Sequence, residues 1–182
     1  MTTAQRARKY RTKDGDGLTY DSPSSLLGVD EARMSAGFVI STLCRDRVGD
    51  VVMPRGCEPH MDGYRKTGGV FFCHETNKAP IALCFKDNLI EGGVLDLTVE
   101  DDRVLSRAYF HCKTRESEEV FALVAGRILT GASIGFVPIK AVKIDGLFDP
   151  SAPLIDFDTG GLLFTEWALT EWSIVPVPCN PE

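Results

Sequence analysis

The chain has only three histidines, His60, His74 and His111. A serine hydrolase needs one of them as a base, because a free hydroxyl is a poor nucleophile at neutral pH. His74 ends the apolar run Val70-Phe-Phe-Cys-His74 and opens onto polar Glu75-Thr-Asn-Lys78. A strand there leaves its imidazole at a sheet rim, oriented by the core yet open to substrate. His111 is expected inside a strand, and His60 in a loop or short helix. Ser133 sits in Gly131-Ala-Ser-Ile-Gly-Phe136. On a strand, Ser133, Gly135 and Val137 share one face while Ile134 and Phe136 turn to the other. Gly131 permits an unusual backbone angle. Gly135 leaves space beside the hydroxyl for a substrate backbone or the imidazole, so Gly131 and Gly135 form the expected substrate and oxyanion region. The pattern is not the GxSxG elbow, in which the serine follows a strand and precedes a helix.

Glu171 is the third candidate. It lies in the apolar segment Thr170-Glu-Trp-Ser-Ile-Val-Pro-Val-Pro178, and a carboxylate among such neighbours needs a partner if it is buried. One such partner is His74, which a carboxylate would orient and whose imidazolium it would stabilise. Glu166, five residues earlier, would point to the opposite face of a regular strand. Each candidate also has a structural reading: a rim histidine, a strand-edge serine, an exposed acid paired with a cation. The six cysteines, Cys44, Cys57, Cys73, Cys84, Cys112 and Cys179, include no CxxC pair. They read as reduced thiols, mostly in apolar stretches, and no zinc-type spacing is present. No metal or cofactor is expected. Cys73 and Cys112 each neighbour a histidine directly, and adjacent strand residues face opposite ways, which argues against a cysteine–histidine pair.

The elements that would carry these residues are mainly strands. Gly37–Cys44, Ile81–Phe85, Val94–Val99, Val104–Cys112, Ala132–Pro138 and Leu162–Val177 read as β, from their β-branched content and alternation. Gly92-Gly93 marks a turn or bulge, and residues 145–160 a surface loop. Thr114–Leu129 reads as the one main helix. Thr114 is its N-cap, acids fill its first turn, and Gly131 lies past its end. Val120, Leu123, Val124 and Ile128 form its apolar stripe. This sum predicts a mostly antiparallel β-barrel of mainly β, α+β class with helix 114–129 packed on it.

At 182 residues and 43% apolar content, one domain is expected. No apolar run reaches the roughly 18 residues of a membrane span, and no signal peptide is evident. The net charge of −6 argues against nucleic-acid binding by the chain as a whole. Residues 1–13 nevertheless hold Arg6, Arg8, Lys9, Arg11 and Lys13 with no acid, which leaves −11 on the rest. Residues 1–33 therefore read as a flexible basic leader and 34–182 as the folded domain.

Four segments in order carry a resemblance. They are Asp46-Arg-Val-Gly-Asp-Val-Val-Met-Pro54, Phe72-Cys-His-Glu75, Gly131-Ala-Ser-Ile-Gly-Phe136 and Glu171-Trp-Ser-Ile-Val-Pro-Val-Pro-Cys-Asn-Pro181. Together they resemble the successive motifs of the prohead maturation proteases of tailed bacteriophages, over residues 35–181. Each motif is weak alone, and the ordered set is fairly specific. The resemblance implies an assemblin-like β-barrel and a serine endopeptidase with Ser133 as nucleophile and His74 as base; Glu171 is the best match for the third member. Its implied substrates are scaffold protein, the scaffold-like N-terminal part of the capsid protein, and the protease itself. It implies work inside the immature prohead in the host cytoplasm, with self-association and no membrane. Glu75 stands where aspartate often follows the histidine, and Cys179 where alanine is commoner. The chain stops at Glu182, where many relatives continue, as a truncated or self-processed form would. The rival expectation is a non-catalytic capsid- or scaffold-associated β-domain.

Overall fold

A computed structural model describes residues 25–86, 93–144 and 161–180. Its strands are β1 (Leu26–Asp30), β2 (Ser35–Thr42), β3 (Val51–Val52), β4 (Gly69–Phe72), β5 (Ala82–Leu83), β6 (Phe85–Lys86), β7 (Val94–Leu95), β8 (Leu97–Val99), β9 (Arg103–Phe110), β10 (Gly131–Lys143) and β11 (Leu162–Val175). Among the described residues, helical structure comprises a 3-10 helix, Pro54–His60, and two α-helices, α1 (Tyr64–Thr67) and α2 (Arg115–Ala125). The fold is mainly β. Nine strands form one sheet, curled into a half-barrel, with the path β1-β2-β9-β5-β4-β11-β10. β6 and β7 make a separate ribbon.

Alternation explains the inner face. Along β9, Val104, Ser106, Ala108 and Phe110 are buried while their neighbours are less so. Phe38, Ile40, Val70, Ile81, Trp167, Trp172 and Ile174 are among the other residues of the core. Burying each such side chain contributes about 1.5–3 kcal/mol. Phe38 packs on Trp172 with ring centroids 5.4 Å apart, and the Trp172 indole donates to Cys84 Sγ at 3.0 Å. The curl brings the first strand back to the last: the Leu26 N–H donates to the Thr130 C=O, 3.0 Å away.

Among the described residues, all strand pairings are antiparallel except the two that β11 makes with β3 and β4. β10 ends the sheet, which lets it carry Pro138 without losing a ladder bond on its open side.

Several expectations are corrected. Within the expected leader, Leu26–Asp30 is a strand paired with β2, so the folded region begins before residue 34; residues 1–24 lie outside the described residues. The main helix runs over 115–125, not 114–129. Thr114 caps it as expected, its side chain accepting from the Ser117 N–H. The end comes early because Gly126 caps the last turn and Arg127 turns left-handed at φ +56°. Ile128 is therefore exposed rather than part of the buried stripe. His111 lies just past the end of β9. The expected 162–177 strand ends at Val175, before Pro176. Among the cysteines only Cys57 and Cys84 are buried, and Cys73 and Cys179 are exposed. Gly92 and the expected loop 145–160 lie outside the described residues.

Candidate active site

The parallel pairing of β4 with β11 aligns Val70 with Trp172, Phe71 with Ser173 and Phe72 with Ile174. The last bond at this end runs from the Cys73 N–H to the Ile174 C=O at 3.1 Å. The chain then turns left-handed at two successive non-glycine residues, Cys73 (φ +51°) and His74 (φ +61°). Such conformations cost on the order of 1–3 kcal/mol each and persist where surrounding contacts hold them. Here the turn folds His74 back over β11. Its backbone N–H donates to Ser173 Oγ at 3.1 Å, and its Nδ1 lies 2.7 Å from Glu171 Oε1. The loop is tied down further on, where Lys78 Nζ bridges Glu75 and, on α2, Glu116.

Glu171 and Ser133 reach the same place from adjacent strands. In the antiparallel register of β10 and β11, Ser133 faces Ser173 and Gly135 faces Glu171. Directly opposed residues share a face, so Ser133, Gly135, Glu171 and Ser173 lie together. Ile134 and Trp172 turn to the core. The register slips just beyond this point, where Gly135 pairs with Glu171 but Phe136 pairs with Leu169. Thr170 is the extra residue of a bulge. Leu169 and Trp172, three apart, both point inward as a result. The bulge also corrects the expectation for Glu166. It shares the non-core side of β11 with Glu171, but its partners are Lys140 and His60, not His74.

Glu171 is only 5% exposed, and both of its oxygens are occupied. Oε1 accepts from His74, and Oε2 accepts from the Ser173 hydroxyl at 2.8 Å. The bond to Glu171, opposed by partial burial and reinforced by the carboxylate charge, raises the His74 pKa above its ordinary value. With a carboxylate at Nδ1, the proton of the neutral ring sits on Nδ1 and the lone pair on Nε2. Among the described residues nothing bonds to that Nε2.

The structure thus brings His74 and Glu171 together and sets Ser133 on the same face. It does not join Ser133 to His74 by a hydrogen bond. Ser133 is 8% exposed and borders a cavity of about 110 Å³ in the seam between β10 and β2. Ile40, Val52, Ile134 and Phe136 give this cavity apolar walls, and Thr42 and Asn180 line it too.

The two glycines have different reasons from those expected. Gly131 has no positive φ; a side chain there would meet the Val175 C=O and the Pro178 ring. At Gly135 the open space is filled by the Glu171 carboxylate, not left for substrate or imidazole. Neither of the other histidines bonds to Glu171, and His60 Nε2 has no hydrogen-bond partner among the described residues. His111 Nδ1 accepts from the Lys113 N–H, so its Nε2–H donates to the Pro80 C=O at 2.6 Å. His60 lies 3.7 Å from Glu166. Cys73 has its thiol pushed up by desolvation and by Glu75 and Glu116, the wrong direction for a thiolate nucleophile.

Ser173 is the site residue that sequence reasoning passed over. Its signal was present: it stands two residues from Glu171 on one strand and so shares its face. Among the described residues, no group of three histidines, cysteines or acids is arranged to hold a metal ion, and no helix is long and apolar enough to cross a membrane. No family model, no curated protein and no solved structure matches the chain.

Proposed function

We propose that the protein is a serine endopeptidase of prohead maturation, with Ser133 as nucleophile, His74 as general base and Glu171 behind the base. The observation that carries this reading is the 2.7 Å bond between His74 Nδ1 and the buried Glu171 carboxylate, on the sheet face that presents Ser133. That bond fixes the ring tautomer with its lone pair on Nε2, as a base requires.

The chemistry follows from these groups. His74 Nε2 takes the Ser133 hydroxyl proton as Oγ attacks the scissile carbonyl carbon. The imidazolium so formed keeps its Nδ1–H on Glu171, which stays ionised. Collapse of the tetrahedral intermediate breaks the C–N bond, and Nε2 returns the proton to the leaving amine. Water then hydrolyses the acyl-enzyme through the same base. General-base catalysis of this kind contributes about 10²–10⁴-fold. Catalytic hydrogen bonds are often long before substrate binds, so closure of Ser133 onto Nε2 is assigned to the substrate complex.

The substrate class rests on the ordered motif set around Asp46, His74, Ser133 and Glu171. It is scaffold protein or the scaffold-like N-terminal part of the capsid protein, with self-cleavage, inside the immature prohead in the host cytoplasm. A curled, mostly antiparallel sheet with α2 packed against it is compatible with an assemblin-like barrel. The competing reading, a non-catalytic capsid- or scaffold-associated β-domain, draws on the missing bond between Ser133 and His74.

Co-expression with the cognate scaffold or capsid precursor separates the two. The wild-type chain is expected to cleave it, and Ser133→Ala and His74→Ala are not. A fluorophosphonate probe is expected to label wild type at Ser133. Cleavage that survives Ser133→Ala removes the nucleophile assignment, and wild type that neither cleaves nor labels favours the β-domain.

A further inference from the structure

We infer that Ser173 is a positioning residue that locks His74 and Glu171 into one geometry. This rests on the serine-endopeptidase reading of the site. Ser173 has no exposed surface, and a hydroxyl offers one donor and two acceptor lone pairs. The donor goes to Glu171 Oε2 at 2.8 Å, and one lone pair takes the His74 backbone N–H at 3.1 Å. With the His74–Glu171 bond at 2.7 Å, the three residues close a ring of hydrogen bonds. It runs from the His74 main chain through Ser173 to the carboxylate and back to the His74 side chain.

Each bond in the ring removes a specific freedom. The bond to the His74 N–H holds a left-handed residue in place at the end of β4. The bond to Oε2 stops the carboxylate turning about its last torsion, which is soft in glutamate. Without Ser173 the base could shift relative to Ser133 while the fold persisted. Displacements near 1 Å at a reacting centre can cost about 10²-fold in rate. Ser173 is not a second nucleophile candidate, because its proton is committed to Glu171 and it is fully buried. Ser133, opposite it on β10, has no such commitment among the described residues.

The test compares full-length wild type, Ser173→Ala, Ser173→Thr, Ser173→Cys and Ser133→Ala. The readouts are the rate of fluorophosphonate labelling with the labelled serine mapped, the melting curve, and the downfield proton signal of His74 Nδ1–H. Ser173→Ala is expected to melt cooperatively and to label Ser133 about 10- to 100-fold more slowly. The loss should fall on the maximal rate rather than on half-saturation by probe. Its Nδ1–H signal is expected to broaden or vanish. Ser173→Thr keeps the hydroxyl and is expected to recover most of the rate. Ser173→Cys, with a weak donor, falls between and serves if the alanine variant does not fold. Wild-type labelling rate and an intact Nδ1–H signal in Ser173→Ala overturn the inference, as does a probe mapped to Ser173. If wild type labels at no serine, the endopeptidase reading fails, and an unchanged Nδ1–H signal in Ser173→Ala overturns the positioning role separately.

Discussion

The Glu171 carboxylate occupies the space that a side chain at Gly135 would need: the two residues are paired across β10 and β11, and a Cβ on Gly135 would fall on Glu171 Oε1. Gly135→Ala is therefore aimed at the carboxylate through sterics alone, since Gly135 has no left-handed backbone to lose. Overpacking of this kind costs about 1–3 kcal/mol, to be measured by denaturant unfolding. Labelling of Ser133 is expected to fall about 10²-fold as Glu171 and with it His74 are displaced. Gly28→Ala, where an added Cβ meets nothing within 4 Å, should leave both measurements unchanged. Equal effects at the two glycines would show that the steric argument is wrong.

Stability and chemistry should separate at the helix cap. Thr114 accepts the Ser117 N–H, satisfying one of the otherwise unpaired donors of the first turn of α2. Thr114→Ala is expected to cost about 1 kcal/mol, a melting shift of roughly 2–4 °C for a chain of this size. Labelling of Ser133 at a temperature where the chain is folded should stay at the wild-type rate. A drop in labelling without a drop in melting temperature would place α2 in the catalytic machinery instead.

These contrasts also show what the sequence could and could not convey. Local patterns were readable. Alternation over Leu95–Val99 marked the region of β7 and β8, and the Thr114 cap with its acids marked the start of α2. The end of α2 was not readable, because Gly126 and the left-handed Arg127 stop it inside an apolar stripe that continues to Ile128. At the site, the shared face of Ser133 and Gly135 follows from period two. The meeting of His74 with Glu171 does not, because it depends on a parallel pairing of strands about a hundred residues apart. The bulge at Thr170 likewise escaped a reading based on regular strands, which set Glu166 and Glu171 on opposite faces. The purpose of Gly135 could not be found without knowing that a carboxylate lies across from it.

The cysteine beside the base gives a negative prediction. Cys73 is exposed, and its thiol is raised by desolvation and by the acids Glu75 and Glu116, with Lys78 opposing them. Near neutral pH it holds little thiolate, which is the reactive form. Iodoacetamide is expected to modify Cys73 slowly at pH 7, and Cys73→Ser should cleave substrate and label Ser133 within about twofold of wild type. Rapid alkylation that abolishes activity, with activity surviving Ser133→Ala, would move the nucleophile to Cys73.

The His74–Glu171 pair sets a pH dependence with a definite sign. His74 is raised above its ordinary value of 6.5, chiefly by its bond to Glu171. A base must be neutral to accept the Ser133 proton, so labelling and cleavage should rise with pH through the raised value, with the acid limb above pH 6.5. Glu171→Gln removes the raising influence and leaves desolvation, which lowers. The His74 titration followed by NMR should then move down. The rate should still fall about 10²–10⁴-fold, because an amide can offer its NH₂ to Nδ1 and drive the proton onto Nε2. Linkage fixes the stability change too. A histidine whose folded pKa exceeds its unfolded one stabilises fully below the unfolded value and loses that contribution as pH rises through the folded one. The unfolding free energy of wild type minus that of Glu171→Gln should therefore be greater just below pH 6.5 than well above the folded pKa. A difference that is flat across this window, or that grows with pH, would mean that Glu171 does not hold the His74 proton.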